Sequence, residues 1–547
     1  MLGLTSTSSA VEPITILKTA LPIGIGLASA AFLSMKLANR ASLAIDKSIP
    51  TVPIRAGDSS HDAEYYEDQS LFIARCEEQY GPVFNLHVLN QFLTVISGPL
   101  AREVFMNENF NFGDSLDDIT GIHALTMSIT TTKRRFDNPL IHEIIRDTIS
   151  PNLPLFTPRI VERLVNVFNS DLGYGEHKLI KDPLLAFQDM IASAMATVFM
   201  GHEIAKNSKV IDSFTQSTYD FAKTLKGPRK DFWHTLRNRT KHGVFNPMRK
   251  HIEVLVEAAS PVIQERRRME AEAVEKGVAY ERPLDILQKL LDNFEKYQLA
   301  DIEDICGHLL TIILVSVHTT SDASTYVSYY LATFPDCIEV LYREQVEVLD
   351  QISKEREAER QSKLQSGEVQ SRTAFEGTDL DPCNDRYLSA EAVKRFKYLD
   401  SFVREVFRFR QQKIALGHTA RMDVVLSNGM VIHKGRKIVV NTRSLHQDYE
   451  LQGEDPTEFR PWRFVGKVKS ATKASMDYLP FGVGKHACPG RFLAIQEIKT
   501  ITALLVTRYS MLELEDPSKQ NRALFAAIGE PVPTGLYFTS RAGANAQ

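Results

Sequence analysis

The sequence predicts a mainly α-helical fold with small β-sheets, built as one large domain behind an N-terminal membrane anchor. Three observations predict it. Apolar residues recur at helical spacing, with few breakers, over 158–170, 183–200, 249–275, 283–297 and 389–411. β signals are short, at 83–97, 423–440 and 534–539. The 547 residues, 43% of them hydrophobic, show no repeat and no convincing linker, although length alone allows three or four domains.

The anchor falls in residues 1–47, which include the start of the hinge. Thr19 to Met35 is nearly charge-free and contains Ile23, Ile25, Leu27, Phe32 and Leu33. Lys36, Arg40, Lys47 and Arg55 follow it, against Lys18 before it, which leaves the bulk of the chain on the cytosolic side. Basic residues after the apolar run, not before it, argue against a cleaved signal peptide. Ser48-Ile49-Pro50-Thr51-Val52-Pro53 reads as a stiff hinge into a domain over 48–547. A long helical pattern runs from about Ile302 to Leu331 and stops before Pro335. Residues 351–386 are charge-rich, with Lys354-Glu355-Arg356-Glu357 at their head, and are expected as an exposed, mobile insertion. Asn428-Gly429, between Val424-Val425-Leu426-Ser427 and Met430-Val431-Ile432, marks a hairpin. A net charge of −4 gives no sign of nucleic-acid binding. The five cysteines, Cys76, Cys306, Cys337, Cys383 and Cys488, are scattered without zinc spacing and suit a reducing compartment.

The chemistry concentrates in Phe481-Gly482-Val483-Gly484-Lys485-His486-Ala487-Cys488-Pro489-Gly490. Its glycines permit a tight fold and close approach of a flat ligand. Pro489 and Gly490 open a helical pattern with Ala494, Ile495, Ile498, Ile501 and Leu505 on one face. A cysteine just before a helix start meets unpaired N–H groups and the positive dipole end, which favour thiolate. Such a thiolate is able to hold haem iron from one side. This loop resembles that of the cytochrome P-450 family, the haem-thiolate monooxygenases. Glu405-Val406-Phe407-Arg408 matches the family's Glu-x-x-Arg, and Phe459-Arg460-Pro461-Trp462-Arg463-Phe464 its Pro-x-Arg-Phe segment. The resemblance covers roughly 48–540 and points to the fungal microsomal type. It implies the cytochrome P-450 fold and a single catalytic domain. Cys488 is implied as the iron ligand, with Phe481, His486 and Gly490 in the haem loop. Glu405, Arg408 and Arg463 are implied as one buried network bracing that loop.

Within the long helix, Val315-Ser316-Val317-His318-Thr319-Thr320 is similar to the family's Ala/Gly-Gly-x-Asp/Glu-Thr-Thr. Ser316 stands at the glycine position and His318 at the acidic one, so proton delivery departs from the pattern. Thr319, beside Thr320, is the expected hydroxyl near dioxygen, and His318 a candidate proton relay or a locally bonded side chain. The haem carboxylates need cationic partners. His486, the pair His142 and Arg146 (resembling Trp-x-x-x-Arg), and either Arg421 or His418 are candidates, whereas His446 reads as structural. By analogy the substrate pocket draws on Leu125, Met127, Ile313, Val317, Ala415, Leu416, Ala527 and Ile528, all apolar.

The resemblance implies insertion of one atom of O2 into a lipophilic substrate, a terpenoid, steroid or other secondary metabolite. It implies haem b, and electrons from NADPH through a separate NADPH-cytochrome P-450 reductase, with cytochrome b5 as a further partner. The chain has no Gly-x-Gly-x-x-Gly or Walker loop for a fused nucleotide site. The expected location is the endoplasmic-reticulum membrane with the domain on its cytosolic side. A haem-thiolate isomerase or dehydratase, and a non-catalytic haem sensor or carrier, are the other readings. Thr319 and Thr320 argue against the first of these.

Overall fold

The structure, a computed structural model, describes residues 46–88, 91–120, 122–126, 140–175, 177–225, 246–366, 388–411, 413–525 and 532–541. The anchor segment, Met127, Cys383, Ala527 and Ile528 lie outside the described residues.

Helices dominate. The principal ones are α1 (Pro183–Phe199), α2 (Ser208–Leu225), α3 (Arg249–Glu275), α4 (Ile302–Thr333), α5 (Asp336–Gln365), α6 (Lys397–Arg410) and α7 (Arg491–Arg508). α4 starts where Asp301 accepts a hydrogen bond from the Asp304 N–H at 2.7 Å, with Glu303 and Asp304 in the favourable first turn. At ~1.5 Å per residue it crosses the whole domain. It packs against α1, α2, α3 and α7, so it is the axis of the main core. By length and composition it would cross a membrane, but 67% of its most apolar window is buried inside the protein, as befits a core helix.

The strands form three small sheets. β1 (Val83–Val88), β2 (Gln91–Ile96), β3 (Phe110–Asn111), β5 (Ile414–Ala420) and β8 (Lys437–Asn441) make one sheet, in the order β1-β2-β8-β5-β3. β4 (Lys178–Ile180), β9 (Tyr509–Leu514) and β10 (Leu536–Ser540) make a second, in the order β4-β10-β9. β6 (Val424–Val425) and β7 (Val431–Ile432) form the hairpin expected around Asn428-Gly429, with Gly429 at φ 86°.

Four expectations are corrected. Residues 351–365, expected within a mobile insertion, continue α5 to Gln365. Ion pairs one turn apart support this stretch where apolar periodicity is absent: Lys354–Asp350 at 2.6 Å and Lys363–Glu359 at 2.7 Å. Residues 367–386 lie outside the described residues. The helix expected over 389–411 breaks at Phe396, where the Glu344 carboxylate of α5 accepts the Tyr398 and Leu399 N–H groups and starts α6 afresh. The one expected over 283–297 shortens to Ile286–Asp292, capped by Asp285. The hinge is docked, not free: the Val52 N–H donates to the Asn85 carbonyl, the Asn85 N–H to Pro50, and Ile49 and Val52 are buried.

Candidate functional site

The Phe481–Gly490 loop is shaped by its glycines. Gly482 and Gly484 take φ of 62° and 73°, open at little cost only to glycine. A Cβ on Gly484 would stand 3.0 Å from the Phe105 carbonyl oxygen, so the backbone passes close beneath the helix Ala101–Met106. The Cys488 N–H donates to the Phe481 carbonyl at 2.8 Å and closes the loop on itself. The Phe481 ring meets Phe407 of α6 edge to face at 5.8 Å. Arg491, the first residue of α7, donates to the Cys488 carbonyl at 2.8 Å and to Thr472 at 3.1 Å.

Backbone N–H groups of Gly490 and Arg491 point at the Cys488 sulfur, as expected of a helix start. Burial nevertheless pushes the Cys488 thiol up, against those N–H groups and the Arg491 charge. The expectation that helix-start electrostatics alone favour thiolate is therefore corrected: desolvation wins. A bound cation would tip the balance, because coordination stabilises the thiolate and releases the thiol proton to solvent.

Below the loop lies the charged network. Arg408 grips Glu405 through two bonds, of 2.7 and 2.8 Å, with both side chains fully buried. Arg463 donates to the same carboxylate at 3.0 Å, and the Arg460 N–H at 2.9 Å. The guanidiniums spend their other donors on backbone carbonyls: Arg408 on His446, Pro456 and Glu458, Arg463 on Glu454, Asp455 and Glu458. His446 carries the connection onward, its Nε2 accepting the Leu479 N–H at 3.0 Å, two residues before Phe481. Structural is thus the right word for His446, but its place is between brace and loop. Arg404, unremarked in the sequence, is also buried; it donates to Ser470 at 2.6 Å and lies over the Tyr478 ring at 3.8 Å. Its only sequence signal is an arginine amid the apolar run Phe402-Val403.

A cluster of rings faces the loop from the other side. His418 is buried, with its Nδ1 2.7 Å from the Leu416 carbonyl and its ring against Phe105, Phe112 and His486. Among the described residues its Nε2 has no hydrogen-bond partner. Burial pulls its pKa down to about 4. Arg421 instead makes a two-toothed ion pair with Asp114, at 2.7 and 3.1 Å. Of the two alternatives the structure brings His418, not Arg421, beside His486. His142 also meets the loop, bonded to the Ala487 backbone. Arg146 does not: the chain passes to π winding at Ile145–Ile149, and its side chain turns out to pair with Asp147 at 2.6 Å. Its assignment to a haem carboxylate is corrected for that reason.

These features fit a haem. The sulfur sits between backbone donors, and a buried imidazole nitrogen without a partner waits where a carboxylate would supply one. The family model described as cytochrome P-450 matches residues 63–365 and 379–534. The chain belongs to the cytochrome P-450 family. It is 25% identical to cytochrome P-450 monooxygenase 103 of Postia placenta over 448 residues, 79% of this chain and 80% of that protein. It is also 25% identical to cytochrome P-450 monooxygenase paxP of Penicillium paxilli, over 68% of this chain and 67% of that one. Among solved structures, retinoic-acid-bound cyanobacterial CYP120A1 shares the fold, with a TM-score of 0.60 at 17% identity over 90% of this chain and 99% of that one. As a cytochrome P-450 monooxygenase the protein is an oxidoreductase that uses haem iron and O2.

In this cytochrome P-450, α4 carries the candidate oxygen-side residues. Thr319 is exposed and its Oγ1 donates to the Val315 carbonyl at 2.6 Å, whereas Thr320 is buried. His318 is partly buried, with Nδ1 3.5 Å from the Gln188 amide nitrogen of α1; burial lowers its pKa against the pull of Asp322. Asp322 pairs with Arg410 at 2.8 Å. Ile313 and Val317 are fully buried, two residues either side of Val315. At ~100° per residue they point away from the face that carries Thr319. Their assignment to the substrate pocket is corrected on that ground. Leu125 is buried on the short helix Ile122–Thr126, its carbonyl accepting from Asn246 at 3.2 Å. The neighbouring Thr126 accepts from Thr311 of α4 at 2.6 Å, pinning this helix to the core. Ala415 and Leu416 lie at an irregularity in β5, where Leu416 takes φ 55° and a Cβ on Gly417 would meet the Ser115 hydroxyl at 2.7 Å.

Removing either partner of the Glu405–Arg408 pair strands a buried charge, a loss of about 3–5 kcal/mol. Glu405→Ala and Arg408→Ala should each yield little haem-loaded protein, read as the ratio of Soret to protein absorbance. Normal haem content in both would show that the brace is dispensable.

His446 makes stability depend on pH. Burial holds its folded pKa at about 3, against 6.5 unperturbed. Between these values the unfolded chain binds more protons, so this contribution is complete above about pH 6.5 and is lost as pH falls toward 3. At pH 5 the loss from this group is about 2 kcal/mol. His446→Gln should shrink the drop in melting temperature between pH 7 and pH 5. An unchanged drop would place the acid sensitivity elsewhere, with His418 the next group to test.

Proposed function

We propose that this monooxygenase hydroxylates a lipophilic secondary metabolite of terpenoid or steroid type. It takes electrons from NADPH through a separate reductase, with cytochrome b5 as an auxiliary donor. In the reaction a substrate C–H bond becomes C–O–H with one atom of O2. The other atom leaves as water, using two protons and the electron pair of NADPH. The single observation that carries the reading is the Cys488 sulfur held between two backbone N–H groups above a fully buried Glu405–Arg408–Arg463 brace. Leu416, packed beside the buried His418 in β5, is an apolar side chain close to that ring cluster and supports an oily substrate. The apolar run Thr19–Met35 supports anchorage in the endoplasmic-reticulum membrane with the domain in the cytosol.

Haem, when bound, supplies the electron-transfer chemistry that splits dioxygen. Cys488 would hold its iron from one side, and His418 and His486 would meet its carboxylates. His418 becomes a two-nitrogen donor once a carboxylate offsets its burial. Thr319 Oγ1 is parked on the Val315 carbonyl and has only to rotate to offer its proton outward from the helix. His318, the preceding residue, would return that proton: kept neutral by burial, it accepts a proton at its one unprotonated ring nitrogen and gives one up from the other.

Cys488→Ser should abolish the thiolate-type red-shifted Soret band of the reduced carbon-monoxide complex. A band that persists would make another cysteine the ligand.

Thr319→Ala should bind haem and substrate and consume NADPH near the parent rate, yet release the electrons as hydrogen peroxide in place of product. Product, peroxide and NADPH measured together decide it. Unaltered coupling in Thr319→Ala would take that hydroxyl out of the chemistry.

A further inference from the structure

Arg404 of α6 is fully buried, which is costly for a cation that no carboxylate grips. Its ion-pair partner Asp477 stands 3.8 Å away and gives its close contact to Lys469, at 2.6 Å. Among the described residues, the hydrogen bonds of Arg404 run to backbone carbonyls, Ser470 at 2.6 Å and Lys473 at 3.4 Å, while Nε and Nη2 have no partner. A buried charge kept on such terms directs attention to what it holds, the turn 470–473. The Lys473 N–H closes that turn on the Ser470 carbonyl at 3.0 Å. Asp400, one helical turn before Arg404, accepts the Ala471 N–H at 3.0 Å. α6 thus holds Ser470, Ala471 and Lys473. The carbonyl of the remaining residue, Thr472, accepts from Arg491 Nε at 3.1 Å. Arg491 Nη1 donates to the Cys488 carbonyl at 2.8 Å, and its charge acts on the sulfur. A continuous path of contacts therefore runs from Arg404 to the cysteine. It is separate from the Glu405 brace, which reaches the loop through His446 and Leu479.

We propose that Arg404 is a positioning residue for the Cys488 sulfur, acting through the 470–473 turn and Arg491. This rests on the reading of Cys488 as the iron ligand. The Glu405 brace holds the chain where it enters the loop, at Leu479. The Arg404 path holds it where it leaves, at Cys488. A planar guanidinium suits the task. One nitrogen reaches both carbonyls while the flat group packs on the Tyr478 ring at 3.8 Å. Without it the Thr472 carbonyl is free to drift, and Arg491 loses one of its two rests. Contacts behind a metal ligand fix its orientation, so a loosened Arg491 loosens the sulfur.

The test uses the purified, haem-loaded full chain and two readings. One is the share of the reduced carbon-monoxide complex that shows the thiolate-type red-shifted Soret band. The other is the rate of haem loss to excess apomyoglobin, taken well below the melting temperature. Arg404→Met should lose that band from part of the complex and release haem ~10-fold faster than the parent. Arg491→Met should do the same, and the double variant should be no faster than the worse single one, since both residues lie on one path. Leu255→Ala, in the core on α3, should lower the melting temperature yet leave both readings as in the parent. Should Arg404→Met not accumulate, Arg404→Lys is read in the same way, because an ammonium keeps the charge but not the flat grip on two carbonyls. Parent-like readings in the Arg404 variant, effects that multiply in the double variant, or equal haem loss in Leu255→Ala overturn the proposal while the haem-thiolate reading stands. A parent protein that shows no thiolate-type carbon-monoxide band overturns the haem-thiolate reading itself, and this inference with it.

Discussion

Glu405 is the point on which the site depends. One buried carboxylate accepts from Arg408, from Arg463 and from the Arg460 backbone, and so ties α6 to the segment that precedes the cysteine loop. Two guanidiniums around one carboxylate leave a net positive cluster in a dry interior. That is tolerable only because the remaining N–H groups find carbonyls at His446, Pro456, Glu454, Asp455 and Glu458. Apart from His446, which ends a short helical turn, the bonded carbonyls belong to irregular chain, which has no ladder of its own. The charge thus organises backbone that neither helix nor sheet would hold, and His446 hands the order on to Leu479 and the loop.

The long helix α4 solves a different problem. It is buried along nearly its whole length, yet exposed or half-buried over one turn, at Val315, Ser316, His318 and Thr319. Its hydroxyls make this possible. Thr319, Ser321, Thr325 and Ser328 each donate to the carbonyl four residues back, so these four hydroxyls are satisfied within the helix itself. Thr319 alone of these stands in the exposed arc, where the same bond becomes exchangeable.

Much of this was legible in the residues, and the failures are instructive. The Cys488 loop, Glu405-x-x-Arg408 and Arg463 were readable because their chemistry demands particular residue types at fixed spacing. α3 and α4 were readable because apolar periodicity and the absence of breakers leave a helix little alternative. Residues 351–365 were misread because ion pairs, not apolar contacts, hold that end of α5, and periodicity is blind to them. The break at Phe396 depends on Glu344, more than fifty residues away in sequence, and has no local signal. Ile313 and Val317 were misplaced by helical phase: they fall on the buried side of α4, away from Thr319. Arg146 was wrong because a π turn is not announced by composition.

The cysteine itself shows how such a loop discriminates. Its N–H donors and Arg491 pull toward thiolate, while desolvation pulls the other way and prevails. A thiol so balanced is a poor nucleophile and resists adventitious oxidation, since both need the thiolate. Bringing a cation to the sulfur reverses the balance, and the same N–H groups then stabilise the charge they were unable to create alone. Rigidity supplies the remainder. Gly484 lies against the Phe105 carbonyl and Arg491 grips the Cys488 carbonyl, so the sulfur is not free to retreat from an incoming ligand.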